Sequence, residues 1–296
     1  MTEASGLRPR DILIVIAVVT VWGLNFIAMH WGVAEISPLL MSGLRYVAAV
    51  IPAIFLVRRP KVALGLLLAY GLFVGVGQFG LLFSAIKLGM PAGLASIVVQ
   101  VQAFVSILLA VVFLRERISA SQAIGAGVAF FGIGVIAYDR LEGAVMVPLL
   151  MTVVAACCWG IANLITKWAG KIDMLGLVVW SSLVPPLPLL ALSIIIEGPG
   201  AVPTAIANIT WVGIGSILFV GWLGTVFGYG MWSVMLSRHP ASTIAPFTLL
   251  VPVVGIGASA LILGERINGP EIAGSVLVFV GLLLNVFGPR MFAQRA

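Results

Sequence analysis

The sequence carries very little charge. Only 9% of its 296 residues are charged, whereas 61% are hydrophobic. Soluble domains carry about 25% charged residues, so a water-exposed surface is excluded and lipid is the expected solvent. No polar segment is long enough to form a separate soluble domain.

Cysteine is almost absent, and its placement excludes a disulfide framework. The two cysteines, Cys157 and Cys158, are adjacent in an apolar stretch, where they could form only a strained bridge and no metal cage. We interpret them as small core residues and expect neither a metal nor a cofactor. The net charge of +6 does not predict nucleic-acid binding either, because the basic residues form no continuous stripe.

Long apolar runs fill the chain. Ten stretches of about 20 residues, the length that crosses the hydrocarbon core of a bilayer, lie at 12–31, 37–57, 63–86, 91–114, 119–138, 147–168, 174–196, 209–236, 240–263 and 270–290. Runs of this length indicate helices, since the backbone must satisfy its own hydrogen bonds in lipid. The first run is too long for a signal peptide and lacks a cleavage site. The sequence therefore predicts an all-α polytopic membrane protein.

The basic residues are distributed unevenly between the two sets of predicted loops. With the N-terminus in the cytoplasm, twelve of them lie inside and three outside, the latter being Lys87, Arg140 and Arg266. The positive-inside rule then places both termini in the cytoplasm. We expect residues 1–11 and 291–296 to be cytoplasmic tails.

Two sequence patterns occur twice. Trp22-Gly23 recurs as Trp159-Gly160, and the Leu-x-Glu-Arg-Ile segment at 114–118 recurs at 263–267. This predicts two five-helix repeats, at 12–140 and 141–290, around a central cavity. Because five is odd, the second repeat enters the membrane from the opposite side, a geometry typical of alternating-access transporters.

The pattern Trp22-Gly23-x-Asn25, with Pro38, Arg45-Tyr46 and the two Glu-Arg turns, resembles one family. It is similar to the EamA family of the drug/metabolite transporter (DMT) superfamily and, within it, to the YddG-like amino-acid exporters. The resemblance covers about 12–288. It implies ten helices in two inverted repeats and the export of amino acids and related small metabolites.

Polar and aromatic residues inside the predicted spans are the candidates for solute contacts, since such residues usually face a partner helix or a wet cavity. Several share one helix face: Trp22 with Asn25, Trp159 with Asn163, and Trp222 with Thr225, Tyr229 and Trp232. Gln100 is favoured over Gln102, which points about 200° away on an α-helix. The residues predicted to contact the solute are Trp22, Asn25, Tyr46, Gln78, Gln100, Trp159, Asn163, Tyr229 and Trp232. Interfacial belts and interhelical hydrogen bonds would use the same residue types.

Arg45 is the one charge predicted well inside the membrane. It needs compensation at that depth. Two interpretations stay open: a structural tether that caps helix ends or carbonyls, and an anchor for a substrate carboxylate.

The carboxylates fall in tails, loops or helix ends, which disfavours a buried proton relay. We expect Glu116 and Glu265 to cap or pair locally where helices 5 and 10 start. Paired buried acids, a histidine-rich metal set and a serine elbow are all lacking, so no enzyme is predicted.

Glycines and prolines suggest which helices are rigid and which bend. Gly125 and Gly132 match Gly274 and Gly281, predicting close packing of helices 5 and 10 as a scaffold. Pro185, Pro246 and Pro252 should kink helices 7 and 9 and serve as gating positions. Helices 3, 4, 8 and 9 are expected to bend around the cavity.

Together these features predict a monomeric exporter in a bacterial inner membrane that moves neutral or aromatic amino acids and related metabolites by alternating access. An aromatic and amide lining suits such solutes. A nucleotide-sugar or drug exporter is the alternative, although phosphate recognition would call for more than one buried cation. A channel is a remote alternative, suggested only by the run Thr225-Val226-Phe227-Gly228-Tyr229-Gly230.

Overall fold

The structure is a computed structural model that describes residues 7–139 and 146–293. Residues 1–6 and 294–296 of the predicted tails, and Arg140 in its predicted loop, lie outside the described residues.

Within the described residues, ten helices are long and apolar enough to cross a membrane, which confirms the predicted all-α polytopic fold. We number them in chain order, α1 to α10: Pro9–Glu35, Pro38–Leu56, Leu64–Lys87, Ala92–Leu114, Ala120–Asp139, Met146–Ala169, Met174–Glu197, Trp211–Arg238, Ala245–Leu263 and Gly269–Gly288. The predicted bounds differ most at α9, because Ala241–Ile244 forms a separate short helix before it.

Successive helices run in opposite directions, so their ends form two sides of the bundle. We call the side where α1 begins the near side and the other the far side. The near side holds Glu116 bonded to Lys167 and Asp11 beside His239. The far side holds Glu35, Glu197 and Glu265, each bonded to another helix.

The helix contacts come in corresponding pairs. α1 packs against α8 and α9, and α6 packs against α3 and α4, while α2 packs on α7 and α5 on α10. Exchanging the first five helices with the last five leaves this pattern unchanged. The pattern supports two related halves, whose inverted relation stays a prediction.

The close packing of α5 on α10 is confirmed. A Cβ added to Gly132 would lie 2.6 Å from Gly274 O, and one added to Gly125 would lie 2.7 Å from Gly281 O. Real Cβ atoms do not approach backbone oxygen so closely, so only glycine permits this backbone contact. The rigidity expected of this pair stays a prediction.

Several spans depart from α-helical geometry at matching places. α3 widens to a π-helix over Leu72–Gly80 and α8 over Phe219–Phe227. α4 tightens to a 3-10 turn at Val99–Val101 and α9 at Ala245–Leu249. The four helices predicted to bend, α3 with α8 and α4 with α9, therefore each contain a departure from α-helical geometry. Such π-helical turns are frequent at functional sites.

The three prolines predicted to kink α7 and α9, which are Pro185, Pro246 and Pro252, lie in different local structures. Pro185 lies in a break of α7 at 182–185. Pro246 lies in the 3-10 turn that opens α9, and Pro252 lies in the α-helical part Leu250–Ala258 that continues directly from that turn. Their gating role stays a prediction.

Candidate functional site

A cavity of about 370 Å³ lies at the centre of the bundle. Its described lining comes from α1, α2, α3, α4, α6, α7, α8 and α9, and no described residue of α5 or α10 contributes. All nine residues predicted for solute contact line it, as do Arg45 and Pro185, whereas Pro246 and Pro252 are not among the described lining residues. Contact of these residues with a solute stays a prediction.

Aromatic rings from α1 and α8 form one wall of the cavity. The ring of Trp22 lies 5.5 Å from that of Tyr229 and 5.2 Å from that of Trp232. Trp22 Nε1 donates to Gly224 O at 2.9 Å. A Cβ on Gly228 would lie 2.5 Å from Trp22 Nε1, so this glycine leaves space for the indole. The wall is held by ring contacts and by a direct link between the helices.

Arg45 is buried, and no counter-charge lies beside it in the part of the chain that the structure describes. Its side chain is 1% exposed, with Cζ 3.6 Å from the Phe79 ring centroid and 3.9 Å from that of Tyr46. Nη1 donates to Thr225 Oγ1 at 3.2 Å. Within the described residues, Arg45 has no ion pair, and Nε and Nη2 have no hydrogen-bond acceptor. The tether interpretation expected helix ends or carbonyls as acceptors, and a hydroxyl is found instead.

Other buried polar atoms around the cavity also lack partners among the described residues. They are Tyr46 OH, Gln78 Oε1 and Asn25 Oδ1. Buried polar groups are nearly always hydrogen-bonded in folded proteins. With Arg45, the cavity therefore offers unused donors and unused acceptors in an aromatic setting.

Asn163 ties α6 to α4. Its Nδ2 donates to Gln102 Oε1 at 2.7 Å and to Ser106 Oγ at 2.9 Å. Gln100 and Gln102 both line the cavity, although ideal α-helical spacing separated them. The 3-10 turn at Val99–Val101 explains this, since its tighter winding brings residues two apart closer to one face.

Trp222 does not share the cavity face predicted for it. It is 45% exposed, and its Nε1 donates to Ala48 O at 2.7 Å and to Ile51 O at 3.0 Å. The π-helix over Phe219–Phe227 changes the angle per residue, so a stripe drawn with α-helical spacing fails across it.

Sequence reasoning missed some lining residues. Tyr70 lines the cavity and is 5% exposed, and Ser181 and Ser182 line it where α7 breaks. A tyrosine within an apolar span is the same signal that selected Tyr46, and could have found Tyr70. The serines carried no such signal, because short hydroxyl side chains commonly bond to the backbone of their own helix, as these two do.

The prediction for the glutamates of the two Glu-Arg turns was wrong in its partners. Glu265 accepts from the backbone N–H groups of Ala92 and Gly93, at the start of α4. Glu116 pairs with Lys167 at the end of α6. Both contacts are distant in sequence, so local spacing could not indicate them.

The run Thr225 to Gly230 is helical throughout, within α8. It therefore lacks the re-entrant loop that a selectivity filter requires. Among the described lining residues, Arg45 is the sole Lys or Arg, which gives a phosphorylated solute few partners.

Several known proteins are similar to this chain over nearly its whole length. The chain is 41% identical to a probable amino-acid metabolite efflux pump of Salmonella typhimurium over 95% of this chain and 96% of the relative. It is 40% identical to the protein of the same description in Escherichia coli, over the same shares. A probable terminal-alkyne amino-acid exporter of Streptantibioticus cattleyicolor is 26% identical over 92% of this chain and 91% of its own length.

A solved crystal structure of a protein with 19% sequence identity has a TM-score of 0.62, covering 96% of this chain and 99% of that one. At this identity the likeness concerns the fold alone. The EamA-like transporter family model matches residues 10–138 and 146–287. With ten spans around a lined central cavity, the chain belongs to the EamA-like transporter family.

Proposed function

We propose that this protein exports amino acids and related metabolites through the central cavity, with Arg45 binding the carboxylate of the solute. The observation that carries the proposal is a fully buried guanidinium with two nitrogens that lack acceptors in the described structure. Charge-assisted hydrogen bonds to a carboxylate would satisfy both nitrogens.

The remaining lining favours a neutral zwitterion. Gln78 Oε1 and Asn25 Oδ1 are acceptors without partners among the described residues, and could receive the ammonium group. Trp22, Tyr229 and Trp232 offer ring faces to an apolar side chain. The two relatives described as probable amino-acid metabolite efflux pumps support amino-acid metabolites as solutes and efflux as the direction.

The orientation that we propose has both termini in the cytoplasm of a bacterium, with the near side facing inward. Most of the loop cations on described residues, including Arg58, Arg115 and Lys167, lie on the near side, which agrees with the positive-inside rule. We further propose two inverted repeats, at 12–140 and 141–290, that work by alternating access as a monomer. The support is the paired helix contacts and a cavity built within one chain.

Counterflow with purified protein in liposomes tests the proposal. Labelled neutral amino acids, the corresponding amines that lack the carboxylate, and a nucleotide sugar would be compared. Losing a hydrogen-bonded charge pair costs about 1.5–3 kcal/mol, so we expect amines and Arg45→Gln to reduce amino-acid exchange by about 10- to 150-fold.

Arg58→Gln is the matched control, because it removes an exposed cation on the near side. Trp159→Ala should also reduce exchange, by removing a lining ring. Equal exchange by Arg45→Gln and the wild type would contradict the carboxylate anchor. Exchange of the nucleotide sugar alone would replace amino acids with the alternative solute class.

A further inference from the structure

The two Leu-x-Glu-Arg-Ile segments have the same backbone but different partners. Arg115, after α4, and Gly264, after α9, both adopt left-handed conformations, with φ of 55° and 66°. The glutamates that follow, Glu116 and Glu265, therefore leave equivalent helix ends in the same way. Their surroundings differ because the bundle is packed differently on its two sides.

On the far side, Glu265 fastens α9 to the start of α4. Its carboxylate accepts from Ala92 N at 2.7 Å and from Gly93 N at 3.0 Å. A Cβ on Gly93 would lie 3.1 Å from Ser259 Cβ, so the two helices are in close contact here. Every residue from 92 to 101 is buried. The first part of α4 is thus packed against the second part of α9.

Two more glutamates close the far side in the same manner. Glu197, at the end of α7, accepts from Leu39 N at 2.8 Å, at the start of α2. Glu35, at the end of α1, accepts from Thr210 N and Gly213 N, both at 3.1 Å, where α8 begins. Each carboxylate holds the first turn of another helix, where N–H groups are free to donate.

On the near side, the equivalent packing is not made. A shift of 149 residues, the spacing of the two Glu-Arg turns, relates 92–101 to 241–250. Of residues 243–250, only Ile244 and Leu249 are buried. Among the described residues, the first part of α9 has no contact with the second part of α4 comparable to the one on the far side. Glu116 instead bonds Lys167 Nζ at 2.8 Å, with side chains 49% and 48% exposed.

We propose that Glu265 and Glu116 are reciprocal latches of the transport cycle. In the state described here, Glu265 holds the far mouth closed and Glu116 is held by Lys167. In the opposite state, Glu116 leaves Lys167 and accepts from the backbone N–H groups that follow Pro240, while Glu265 releases those that follow Pro91. This inference rests on the proposed alternating access.

In the proposed change of partners, the contact that Glu265 loses is replaced by an equivalent contact of Glu116. Of Glu265 and Glu116, one carboxylate accepts from backbone N–H groups in each state, and the exposed pair with Lys167 contributes little to stability. Such an exchange suits two states of similar free energy, which a solute can then interconvert. It also requires that only one mouth be latched at a time.

Distances between paired spin labels test the latches without any solute. Label pairs at Leu88 with Arg266 and at Ser237 with Arg117 span the far and near mouths at equivalent, exposed positions. Cys157 and Cys158 would be replaced by Ala first. Removing a helix cap changes an equilibrium by about 2- to 30-fold, so Glu265→Ala should raise the far-open population by that factor and shorten the near-side distance.

Glu116→Ala is the matched variant. It should leave the far mouth closed, remove any near-closed population, and slow counterflow. Glu265→Gln and Glu116→Gln repeat both comparisons with less risk to folding, and smaller shifts of the same sign are expected. Identical distance distributions in all the variants, or an equal shift by both glutamates, would overturn the proposal. Because no solute is added, this result is independent of whether amino acids are the cargo.

Discussion

Arg45 is stabilised by its neighbours' rings more than by hydrogen bonds. The guanidinium lies close to the rings of Phe79 and Tyr46, from α3 and α2. Cation–π contacts of a desolvated arginine contribute about 2 kcal/mol, which offsets part of the cost of burial. Sequence alone indicated a charge in need of compensation. It could not indicate Phe79, since that ring comes from another helix.

Arg115 and Gly264 have left-handed backbone conformations, which favour glycine, and substitutions at these two positions can test the cost of a side chain there. Arg115 has φ of 55°, whereas the equivalent residue Gly264, with φ of 66°, has no Cβ to strain. A non-glycine residue in this region costs about 1 kcal/mol. Arg115→Gly should therefore raise the melting temperature in detergent, and Gly264→Ala should lower it.

The control for this prediction is Gly257→Ala, where an added Cβ meets no atom within 4 Å. We expect its melting temperature to match the wild type or exceed it slightly, because alanine favours the helix. A higher melting temperature for Gly264→Ala would contradict the conformational argument.

The pair α5 and α10 is the element most completely predicted from sequence. The four matched glycines indicated a close contact, and backbone oxygens do lie where side chains would otherwise be. Neither helix contributes a described residue to the cavity lining. We therefore expect the pair to act as a fixed support during transport, which the next substitution tests.

Gly132→Ala should disrupt this pair, because its Cβ would lie 2.6 Å from Gly274 O and backbone cannot easily shift. Overpacking of this kind costs about 1–3 kcal/mol. We expect a lower melting temperature but near-normal exchange per folded molecule. Gly134→Ala, with open space around it, should melt like the wild type, and equal melting of the two variants would argue against a rigid pair.

How far sequence predicts each element depends on the regularity of its backbone. The lengths of the apolar runs predicted the ten helices. The α-helical spacing correctly grouped Trp22 with Asn25, because α1 is an uninterrupted helix. The same spacing wrongly placed Trp222 on the cavity face and wrongly pointed Gln102 away from Gln100, because π and 3-10 turns change the angle per residue. Tyr70 was missed because it shares no helix face with other polar residues, although it carries the same signal as Tyr46. The partners of Glu265 could not be predicted because they depend on contacts across the bundle.

At the scale of the molecule, eight helices of the described structure line the cavity, and α5 and α10 pack on each other away from it. Both halves have a π-helical segment, in α3 and α8, and a 3-10 turn, in α4 and α9. The repeated sequence patterns anticipated this pairing. Sequence did not indicate which side is closed, because both Glu-Arg turns look alike and only their partners distinguish them.

The position of Arg45 also has an electrical consequence. The guanidinium stays on α2 between the two mouths, so Arg45 itself carries no charge across the bilayer, and we expect the transported charge to be that of the cargo. A potential of 100 mV does about 2.3 kcal/mol of work on one elementary charge and none on a zwitterion. With valinomycin clamping the liposome voltage, exchange of neutral amino acids should be unchanged and current-free, whereas exchange of an external anionic amino acid for an internal neutral one should generate a current. Voltage-dependent movement of a neutral solute would show that another ion accompanies it.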